Sequence, residues 1–541
     1  MEEGNKVVSQ VLSKDLEALL QGEEVFALID VRERNEFESR QIFGATQVAR
    51  SSLEFRMPVL VPQKNTKIIL YSNDNERSLL AAKALEEYGY SNVFYLEGGL
   101  NFWESEGLPV VEGTHVIGKA FGEIVGDVRK MMTRVLPKEL KSWMQKGDNY
   151  IVIEVRPPEE VTKTGSIPGA INIPGVELAT KITDYVEEGR KIITTCAGHT
   201  RGYISSATLN LMGIKQVYDL ECGTLGWQLA GFDLVKGIPQ GPQPSMGSKK
   251  AGDAFAENLA KEQDITFINV KELQERLNNP ENTTTYLVDV RSLEEYELMG
   301  HIPSSIAIPG GQAIQNSDDV VAVHGANIVF ICDNGTRSTI TAYWYKEMGY
   351  PNVYVLEGGL NAWTNQGKKL VRGKFQVSPL GFQEINSVIE EIDPLDLKIM
   401  LDKPSELVII DVGDSRSFKS GHIPCAHWVP RGRLEKRISQ FVSNKESRLV
   451  VTCPDGLNSV FAAATLKKLG FKRVFALNGG KKAWKNNNSP LIDGMEGIEP
   501  DDWFVHLTEY NHAEAKKYFA WEDSLIQLPE YMDYFKKKGI L

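Results

Sequence analysis

The pattern of apolar and polar residues is clearest between residues 328 and 349. Ile328 to Ile331 form an apolar run with the length and β-branched content of a buried strand, and residues 338–349 have the pattern of a helix that ends at Gly349. Cys332 therefore lies at a predicted strand-to-helix turn. Converging backbone N–H groups and the N-terminus of the following helix would favour an anion at its sulfur. The same field predicts a lowered pKa for the Cys332 thiol.

Apolar segments of this kind alternate with helical patterns along the chain. Residues 13–20 and 77–86 are two segments with helical character. The alternation predicts an α/β fold in which a mostly parallel sheet carries helices on both faces. Functional sites in such sheets lie at the carboxyl ends of strands, where the Cys332 loop falls.

One set of landmarks occurs four times. Each copy has a strand that ends near an acidic residue, then a glycine-containing turn, a strand–loop–helix stretch and a closing segment that ends in tryptophan. The acidic residues are Asp30, Glu154, Asp289 and Asp411, the loop positions are Ser72, Cys196, Cys332 and Cys453, and the tryptophans are Trp103, Trp227, Trp363 and Trp484. Loop positions and tryptophans both step by 124, 136 and 121 residues. Periods this long indicate tandem whole domains, because solenoid repeats are much shorter.

The landmarks divide the chain into four domains, which we number as repeats 1 to 4. They are predicted to cover residues 1–112, 113–236, 264–373 and 374–494. Residues 237–263 begin with several glycines and prolines and are predicted to be a linker. This linker would separate repeats 1 and 2 from repeats 3 and 4, with tighter coupling inside each of these pairs.

The C-terminal residues 495–541 contain no fifth copy. They are rich in aromatic and charged residues, which include Trp503, Tyr518, Trp521 and Tyr531. Apolar spacing around residues 513–526 predicts a helical extension that packs on the domains.

Composition and charge exclude several classes of function. The formal net charge is −12, which gives no electrostatic footprint for nucleic acid or an anionic membrane. The five cysteines are too few and scattered for a disulfide scaffold, and none forms the paired spacing of a zinc site. A reducing compartment fits this usage. The N-terminus lacks the apolar core of a signal peptide and no apolar run approaches a membrane span, so we expect a cytoplasmic protein.

Four motifs in fixed order resemble the rhodanese homology domain, in four tandem copies that cover nearly the whole chain before the extension. Repeat 3 is complete, with Asp289-Val-Arg, Gly300-His-Ile-Pro, Cys332-Asp-Asn-Gly-Thr-Arg-Ser and Leu356-Glu-Gly-Gly-Leu-Asn-Ala-Trp. The resemblance implies a thiosulfate sulfurtransferase-like enzyme whose cysteine carries sulfur as a persulfide. A small donor such as thiosulfate would supply the sulfur, and a thiol, cyanide or a protein would accept it. No metal and no cofactor beyond the covalent persulfide are implied.

The resemblance implies that Cys332 is the nucleophile of repeat 3. The loop around the transferred sulfur would be formed by Asp333, Asn334, Gly335, Thr336 and Arg337. Gly335 allows the positive φ that such a loop requires. Arg337 can bind the oxygens of thiosulfate or of the leaving sulfite through its planar guanidinium.

Repeat 2 keeps the nucleophile Cys196 and is expected to be competent. Its loop residues are Ala197, Gly198, His199, Thr200 and Arg201. His199 adds a possible positive charge over the loop, and the alternative is an ordinary solvated histidine. Glu154 replaces the aspartate of the first motif.

The other two repeats depart from the pattern. Ser72 of repeat 1 cannot form a persulfide, so repeat 1 is expected to be silent. Repeat 4 keeps Cys453 but has Asn458 for the loop arginine and Gly413 for the arginine of the first motif. The loss of both positive groups predicts weak thiosulfate binding and a raised thiol pKa, and leaves Cys453 as a possible secondary sulfur acceptor.

Two further cysteines and three motif residues can be explained without a catalytic role. Cys222 replaces a glycine of the closing motif and Cys425 follows a Gly-His-Ile-Pro turn, and both are expected to be small buried apolar residues, with a relay role as the alternative. Asp289, Arg291 and His301 suit a scaffolding role as well as a catalytic one.

Two other functions remain open. A persulfide-binding or scaffold protein with little turnover would explain the two degraded sites. A phosphatase is disfavoured because four residues lie between Cys332 and Arg337, whereas the related cell-cycle phosphatases have a loop one residue longer.

Overall fold

The computed structural model of the chain describes residues 8–279, 283–401, 407–498, 502 and 510–541. Its contacts form two compact units. Unit 1 comprises the described residues within 1–21, 27–113 and 377–504, and unit 2 those within 22–26, 114–376 and 505–541. Repeats 1 and 4 thus share unit 1, whereas repeats 2 and 3 share unit 2 with the C-terminal extension. The predicted pairing of repeat 1 with 2 and of repeat 3 with 4 is wrong, because partners are set by matching surfaces rather than by position in the sequence.

Each repeat contains a sheet of the same topology. The strands are Ser9–Val11, Phe26–Asp30, Thr46–Gln47, Lys67–Tyr71 and Val93–Leu96 in repeat 1; Arg134–Val135, Tyr150–Glu154, Ile171–Asn172, Lys191–Thr195 and Val217–Leu220 in repeat 2; Thr266–Ile268, Thr285–Asp289, Ile306–Ala307, Asn327–Ile331 and Val353–Leu356 in repeat 3; Glu390–Ile392, Leu407–Asp411, Ala426–Trp428, Arg448–Thr452 and Arg473–Leu477 in repeat 4. In repeats 2 to 4 they lie in the order first, fifth, fourth, second, third. In repeat 1 the order is first, fifth, fourth, second, and the third strand pairs with the second beside this path. A further short strand, Val323–His324, precedes the fourth strand of repeat 3. In repeats 2 to 4 every pairing in this order is parallel. The predicted α/β fold of four tandem domains is confirmed.

Helices connect these parallel strands. They are Ser13–Gln21, Arg34–Ser39, Leu53–Leu60, Asn75–Glu87 and Gly99–Ser105 in repeat 1; Val116–Glu123, Ile124–Val128, Pro137–Lys146, Pro158–Thr164, Leu178–Lys181, Thr200–Leu211 and Gly223–Leu229 in repeat 2; Val270–Asn278, Glu295–Met299, Gly310–Gln315, Ser317–Val320, Thr336–Glu347 and Gly359–Asn365 in repeat 3; Phe382–Asn386, Pro394–Leu401, Ser415–Ser420, Leu434–Arg437, Leu457–Lys468 and Gly480–Asn486 in repeat 4. In every repeat the fourth strand leads through a short loop into a long helix, and the candidate cysteines and Ser72 occupy the start of that loop.

The closing tryptophan ties the end of each repeat to its core. Trp103, Trp227, Trp363 and Trp484 are all buried. Each indole N–H donates to a backbone carbonyl six residues later, at 2.8 Å for Pro109, 3.0 Å for Asp233, 3.2 Å for Lys369 and 2.8 Å for Pro490. The recurring tryptophan motif therefore has a structural role. Its hydrogen bond satisfies the buried indole N–H and fixes the segment through which the chain leaves the repeat.

The segment predicted as a linker contains a long helix, Met246–Glu262. Ser245 caps it, because its hydroxyl accepts the N–H of Ser248 at 3.1 Å. The helix packs on Leu178–Lys181 and on Thr336–Glu347, and its buried face carries small residues such as Gly252 and Ala256. That face gives a weak apolar pattern, whereas the preceding glycines and prolines give a strong linker pattern. For this reason the sequence pattern did not predict the helix.

The C-terminal extension forms the predicted helices, His512–Ser524 and Pro529–Lys537. Ala515, Phe519, Leu525 and Phe535 are buried among its apolar positions, and Trp503 lies outside the described residues. Among the helices that the structure describes, none combines the length and hydropathy needed to cross a bilayer.

Candidate active site

The Cys332 sulfur lies where the fourth strand of repeat 3 meets its long helix. Strand Asn327–Ile331 ends one residue earlier, and helix Thr336–Glu347 begins four residues later. Gly335 has φ +108°, and its N–H donates to Cys332 Sγ at 3.2 Å. The hydroxyl of Ser338 lies 3.4 Å from the same sulfur. Donors of the loop and of the first helical turn thus face the thiol, as an anion at that position requires.

Burial nevertheless raises the pKa of both candidate thiols. Cys332 is fully buried, and desolvation raises its pKa above 9.0 against the opposing effects of Arg337 and Ser338. Burial likewise raises the pKa of Cys196 to about 11, with Arg201 opposing. The predicted lowering of the Cys332 pKa is therefore wrong, because the cost of a buried thiolate exceeds the stabilisation that the loop supplies.

The loop arginine is held by a glutamate that was not predicted from the sequence. Arg337 donates from its two terminal nitrogens to Glu295 at 2.8 and 2.7 Å, and also to Asp333 at 2.9 Å. Equivalent two-point pairs join Arg201 to Glu160 and Arg77 to Glu36. Asp30, Glu154 and Asp289 each precede one of these glutamates by six residues. This constant spacing of six residues is the sequence pattern from which the glutamates could have been predicted.

The helix Met246–Glu262 places a carboxylate on the Cys332 loop. Asp253 accepts a hydrogen bond from the Asn334 amide at 3.0 Å and another from the Thr336 hydroxyl. Two of the predicted substrate-binding side chains thus hold an acidic group here. Because Asp253 is anionic, it disfavours a donor anion at this face of the loop.

The Cys196 site of repeat 2 has the same strand–loop–helix placement. Cys196 is only 2% exposed, and Ala197, Gly198 and Thr200 of its loop are buried as well. Its Sγ lies 3.8 Å from the carbonyl oxygen of His199. Among the described residues, the Nε of Arg201 has no hydrogen-bond partner, so one buried donor remains available to an anion.

His199 is buried rather than solvated. Its ring is stacked between Tyr203 and Phe519, with centroid distances of 4.9 and 5.0 Å. Its Nδ1 lies 2.7 Å from Glu123 Oε1, and its Nε2 lies 3.3 Å from Cys222 Sγ. Burial disfavours the charged ring, but the contacts with Cys222 and Glu123 prevail and raise the pKa of His199 well above 6.5. The C-terminal extension, through Phe519, therefore covers the site of repeat 2.

The acidic residue of the first motif forms a buried ion pair with the arginine two residues later. Asp289 binds Arg291 through bonds of 2.9 and 2.7 Å, and Arg291 also donates to the carbonyl of Gly300 at 2.8 Å. Glu154 and Arg156 form the same arrangement in repeat 2. These contacts fix the turn after the strand and do not reach the candidate thiols, so they favour the scaffolding interpretation.

The profile of the rhodanese-like domain matches residues 12–106, 136–230, 269–366 and 393–487. Together these ranges cover most of the chain. The protein belongs to the rhodanese-like family. Each matched range lies within one of the four segments that the landmarks delimit.

Individual proteins extend this comparison. The crystal structure of a thiosulfate sulfurtransferase from Pseudomonas aeruginosa is 30% identical, with a TM-score of 0.89 over 98% of this chain and 99% of that one. A putative sulfur carrier protein, YrkF, from Bacillus subtilis is 35% identical over 98 residues, which are 18% of this chain and about half (52%) of YrkF. The thiosulfate sulfurtransferase GlpE from Pseudoalteromonas translucida is 33% identical over 96 residues, 17% of this chain and 87% of GlpE. Family and relatives support sulfur transfer as the general activity.

The rhodanese-like site of repeat 1 is closed by its own hydrogen bonds. Ser72 stands at the nucleophile position, donates to the carbonyl of Asp74 and accepts the N–H of Ser78 at 3.2 Å. Arg77 is occupied by Glu36 at 2.7 Å. The loop keeps its rhodanese-like shape, with a hydroxyl in place of the thiol.

The rhodanese-like site of repeat 4 has lost two interacting residues together. Asn458 replaces the loop arginine, and Ser417 replaces the glutamate that would hold it. Cys453 is fully buried, and its pKa is raised, chiefly by burial. The rise was expected from the loss of two positive groups, but burial is its chief cause, as it is for Cys332 and Cys196, which keep the loop arginine. Cys425, expected to be buried, is instead exposed.

A lysine compensates for the arginine missing from the first motif of repeat 4. Lys481 Nζ lies 3.0 Å from Asp411 Oδ2 and donates to the carbonyl of Ser417 at 3.1 Å. Lys481 is 5% exposed and Asp411 is fully buried. The other repeats have Leu100, Thr224 and Leu360 at the position of Lys481. Gly413 therefore removes an arginine whose role a different segment has taken over.

Lys481→Met is expected to destabilise repeat 4 by about 3 kcal/mol, because Asp411 would remain buried without its cation. Hydrogen–deuterium exchange of strand Leu407–Asp411 at neutral pH measures this loss. The matched control is Lys482→Met, since Lys482 is the exposed neighbour, and its exchange should match wild type. Equal protection in the two variants would contradict the role given to Lys481.

Proposed function

We propose that this protein is a sulfurtransferase that carries sulfane sulfur as a persulfide on Cys332 and Cys196. The observation that carries the proposal is the Gly335 N–H, which points at Cys332 Sγ from the start of a helix, at 3.2 Å. Thiosulfate is the proposed donor, in keeping with the names of GlpE and of the Pseudomonas aeruginosa protein.

The reaction begins with attack by the cysteine thiolate on the outer sulfur of thiosulfate. The bond between the two sulfur atoms of the donor breaks, and sulfite leaves with the bonding electron pair. The Cys332 persulfide that results is an anion, which the Gly335 N–H and the helix N-terminus stabilise. A thiol or cyanide then removes the outer sulfur and regenerates the thiolate.

Arg337 and Arg201 supply the positive charge that the donor needs. Each is committed to a glutamate in the resting structure, which keeps a buried guanidinium paired. The Nε of Arg201 is the donor left over for sulfite or thiosulfate oxygens. Because burial raises the thiol pKa, the resting cysteines are neutral. The thiol proton must pass to water when the loop opens, and the arginines favour the thiolate that remains.

Access requires the loops to open. Cys332 and Cys196 are at most 2% exposed, and Asp253 binds the loop of Cys332. We therefore place a local movement of the covering helix before sulfur loading in repeat 3.

The proposal is tested by incubating the full chain with thiosulfate and cyanide and measuring thiocyanate. In parallel, peptide mass spectrometry after thiosulfate alone locates each added sulfur atom. Thiocyanate turnover with added sulfur on Cys332 and Cys196 is the expected result. Stable added sulfur with negligible turnover would instead favour persulfide storage, and the absence of added sulfur on both cysteines would refute the proposal.

A further inference from the structure

Repeat 2 differs from the other repeats at two positions that face each other. One is His199 in the cysteine loop, and the other is Cys222 in the closing motif. The other repeats have Asn75, Gly335 and Gly456 at the first position and Gly98, Gly358 and Gly479 at the second. In repeat 2 alone, an imidazole and a thiol occupy the two positions, and they are in contact.

The contact has the geometry of a nucleophile with its base. Cys222 Sγ lies 3.3 Å from His199 Nε2, and the opposite nitrogen, Nδ1, lies 2.7 Å from Glu123 Oε1. Glu123 is fully buried, and its other oxygen has no hydrogen bond among the described residues, with Arg134 3.8 Å away. A buried carboxylate that orients an imidazole toward a thiol is the arrangement that activates nucleophilic cysteines.

Cys222 has a strained backbone conformation. Its φ is +56°, a left-handed conformation that side chains with a Cβ seldom adopt and that the other repeats assign to glycine. A Cβ on Gly226 would lie 2.6 Å from the Cβ of Cys222. The other repeats have Phe102, Ala362 and Ala483 at the position of Gly226. A third substitution thus makes room for the thiol.

We propose that Cys222, His199 and Glu123 form a second thiol centre, which takes the sulfane sulfur from Cys196. This inference rests on the proposed function. The Cys222 thiolate attacks the outer sulfur of the Cys196 persulfide, so that a new S–S bond forms on Cys222 while the S–S bond to Cys196 breaks. Cys196 leaves as a thiolate, and no net oxidation occurs. The His199 imidazolium retains the proton taken from Cys222 and balances the charge throughout.

Both thiols border the same residue, His199. Cys196 contacts the backbone carbonyl of His199, while Cys222 contacts its ring. The N–H of Thr224, two residues after Cys222, donates to the carbonyl of Cys196 at 2.8 Å. Cys196 is buried and Cys222 only partly so. The transfer therefore moves sulfur from a closed loop toward the surface.

Time-resolved peptide mapping after limiting thiosulfate tests the relay in the full chain. In wild type, added sulfur should reach Cys196 first and Cys222 later. Cys196→Ser should lose both labels. Cys222→Gly, which restores the residue of the other repeats, should keep and accumulate the label on Cys196. In His199→Gln, the label on Cys222 should fall relative to the label on Cys196. Label on Cys222 in Cys196→Ser at the wild-type rate, or no label on Cys222 while Cys196 is labelled, would overturn the relay.

A second measurement separates this inference from the proposed function. Burial raises the pKa of Cys222, and the hydrogen bond with His199 opposes that rise. Alkylation of Cys222 by iodoacetamide should therefore slow by about tenfold or more in His199→Gln. The rate for Cys425, which is exposed and distant in sequence, should not change. If wild-type Cys196 acquires no sulfur, the proposed function fails and the relay fails with it, while slowed alkylation would still support the activated thiol. Unchanged alkylation of Cys222 would overturn the triad itself.

Discussion

Thiocyanate formation from thiosulfate and cyanide should fall by at least about a thousandfold when both Cys332 and Cys196 are replaced by serine. A serine hydroxyl keeps the size of the side chain and its hydrogen bonds to the loop, but it cannot form a persulfide. Repeat 1 already contains this replacement, and there Ser72 accepts the N–H of Ser78 within a well-formed loop. The variants should therefore fold normally, and steady-state thiocyanate assays compare them with wild type.

The single variants apportion the activity between the two loops. Cys332→Ser removes the thiol of repeat 3, whose motifs are complete. Cys196→Ser removes the thiol of repeat 2, whose loop is covered by the C-terminal extension. Cys425→Ser is the matched control, because Cys425 is exposed and follows a turn rather than an active-site strand. Turnover in the double variant near half of wild type would contradict the assignment and direct attention to Cys453.

The sequence was sufficient to predict the loops but not the groups that cover them. Cys332 and Cys196 recur in register with the tryptophans, so comparison between repeats was enough to identify them. Asp253 could not be found in this way, because it belongs to a helix that has no counterpart in the repeating pattern. The rise in thiol pKa follows from the same burial, which depends on packing between segments distant in sequence.

Comparison between repeats contained more information than the motifs alone conveyed. Glu295 and its equivalents recur six residues after the strand-end acid, and Ser417 replaces them only where the loop arginine is also lost. Lys481 replaces an apolar residue only where Gly413 replaces an arginine. These paired changes are visible in the sequence, but their meaning requires the distances of the fold.

Glu54→Gln should lower the free energy of unfolding of unit 1 by about 3–5 kcal/mol, because it leaves Arg431 buried without the carboxylate that it is hydrogen-bonded to. Arg431 of repeat 4 donates to Glu54 of repeat 1 at 2.7 Å, and the two are 7% and 3% exposed. Arg431 also lies 4.7 Å from the centre of the Phe461 ring. Urea unfolding followed by hydrogen exchange of peptides from repeats 1 and 4 measures the loss.

The internal symmetry of the two repeats supplies the control. Arg50 and Glu435 occupy the same positions in repeats 1 and 4 as Arg431 and Glu54 occupy in repeats 4 and 1, and they form the reciprocal pair at 2.9 Å. Their side chains are 14% and 19% exposed, against 8% and 4% for Arg431 and Glu54, so water solvates the partner that remains to a greater extent. Glu435→Gln should therefore cost about 1–2 kcal/mol, less than Glu54→Gln. Equal losses in the two variants would show that burial does not set the difference.

The dependence on pH distinguishes a charge effect from a packing effect. Burial by itself raises the pKa of Glu54, but Arg431 outweighs it and holds that pKa below 4.5. A carboxyl whose pKa is lower in the folded state stabilises the fold above its unfolded pKa and loses this contribution as the pH falls through the folded value. The gap between wild type and Glu54→Gln should thus be widest at neutral pH and narrow below about pH 4.5. A gap that is independent of pH would mean that Glu54 acts through its shape, and Arg431→Met combined with Glu54→Met would then be as destabilising as either change alone.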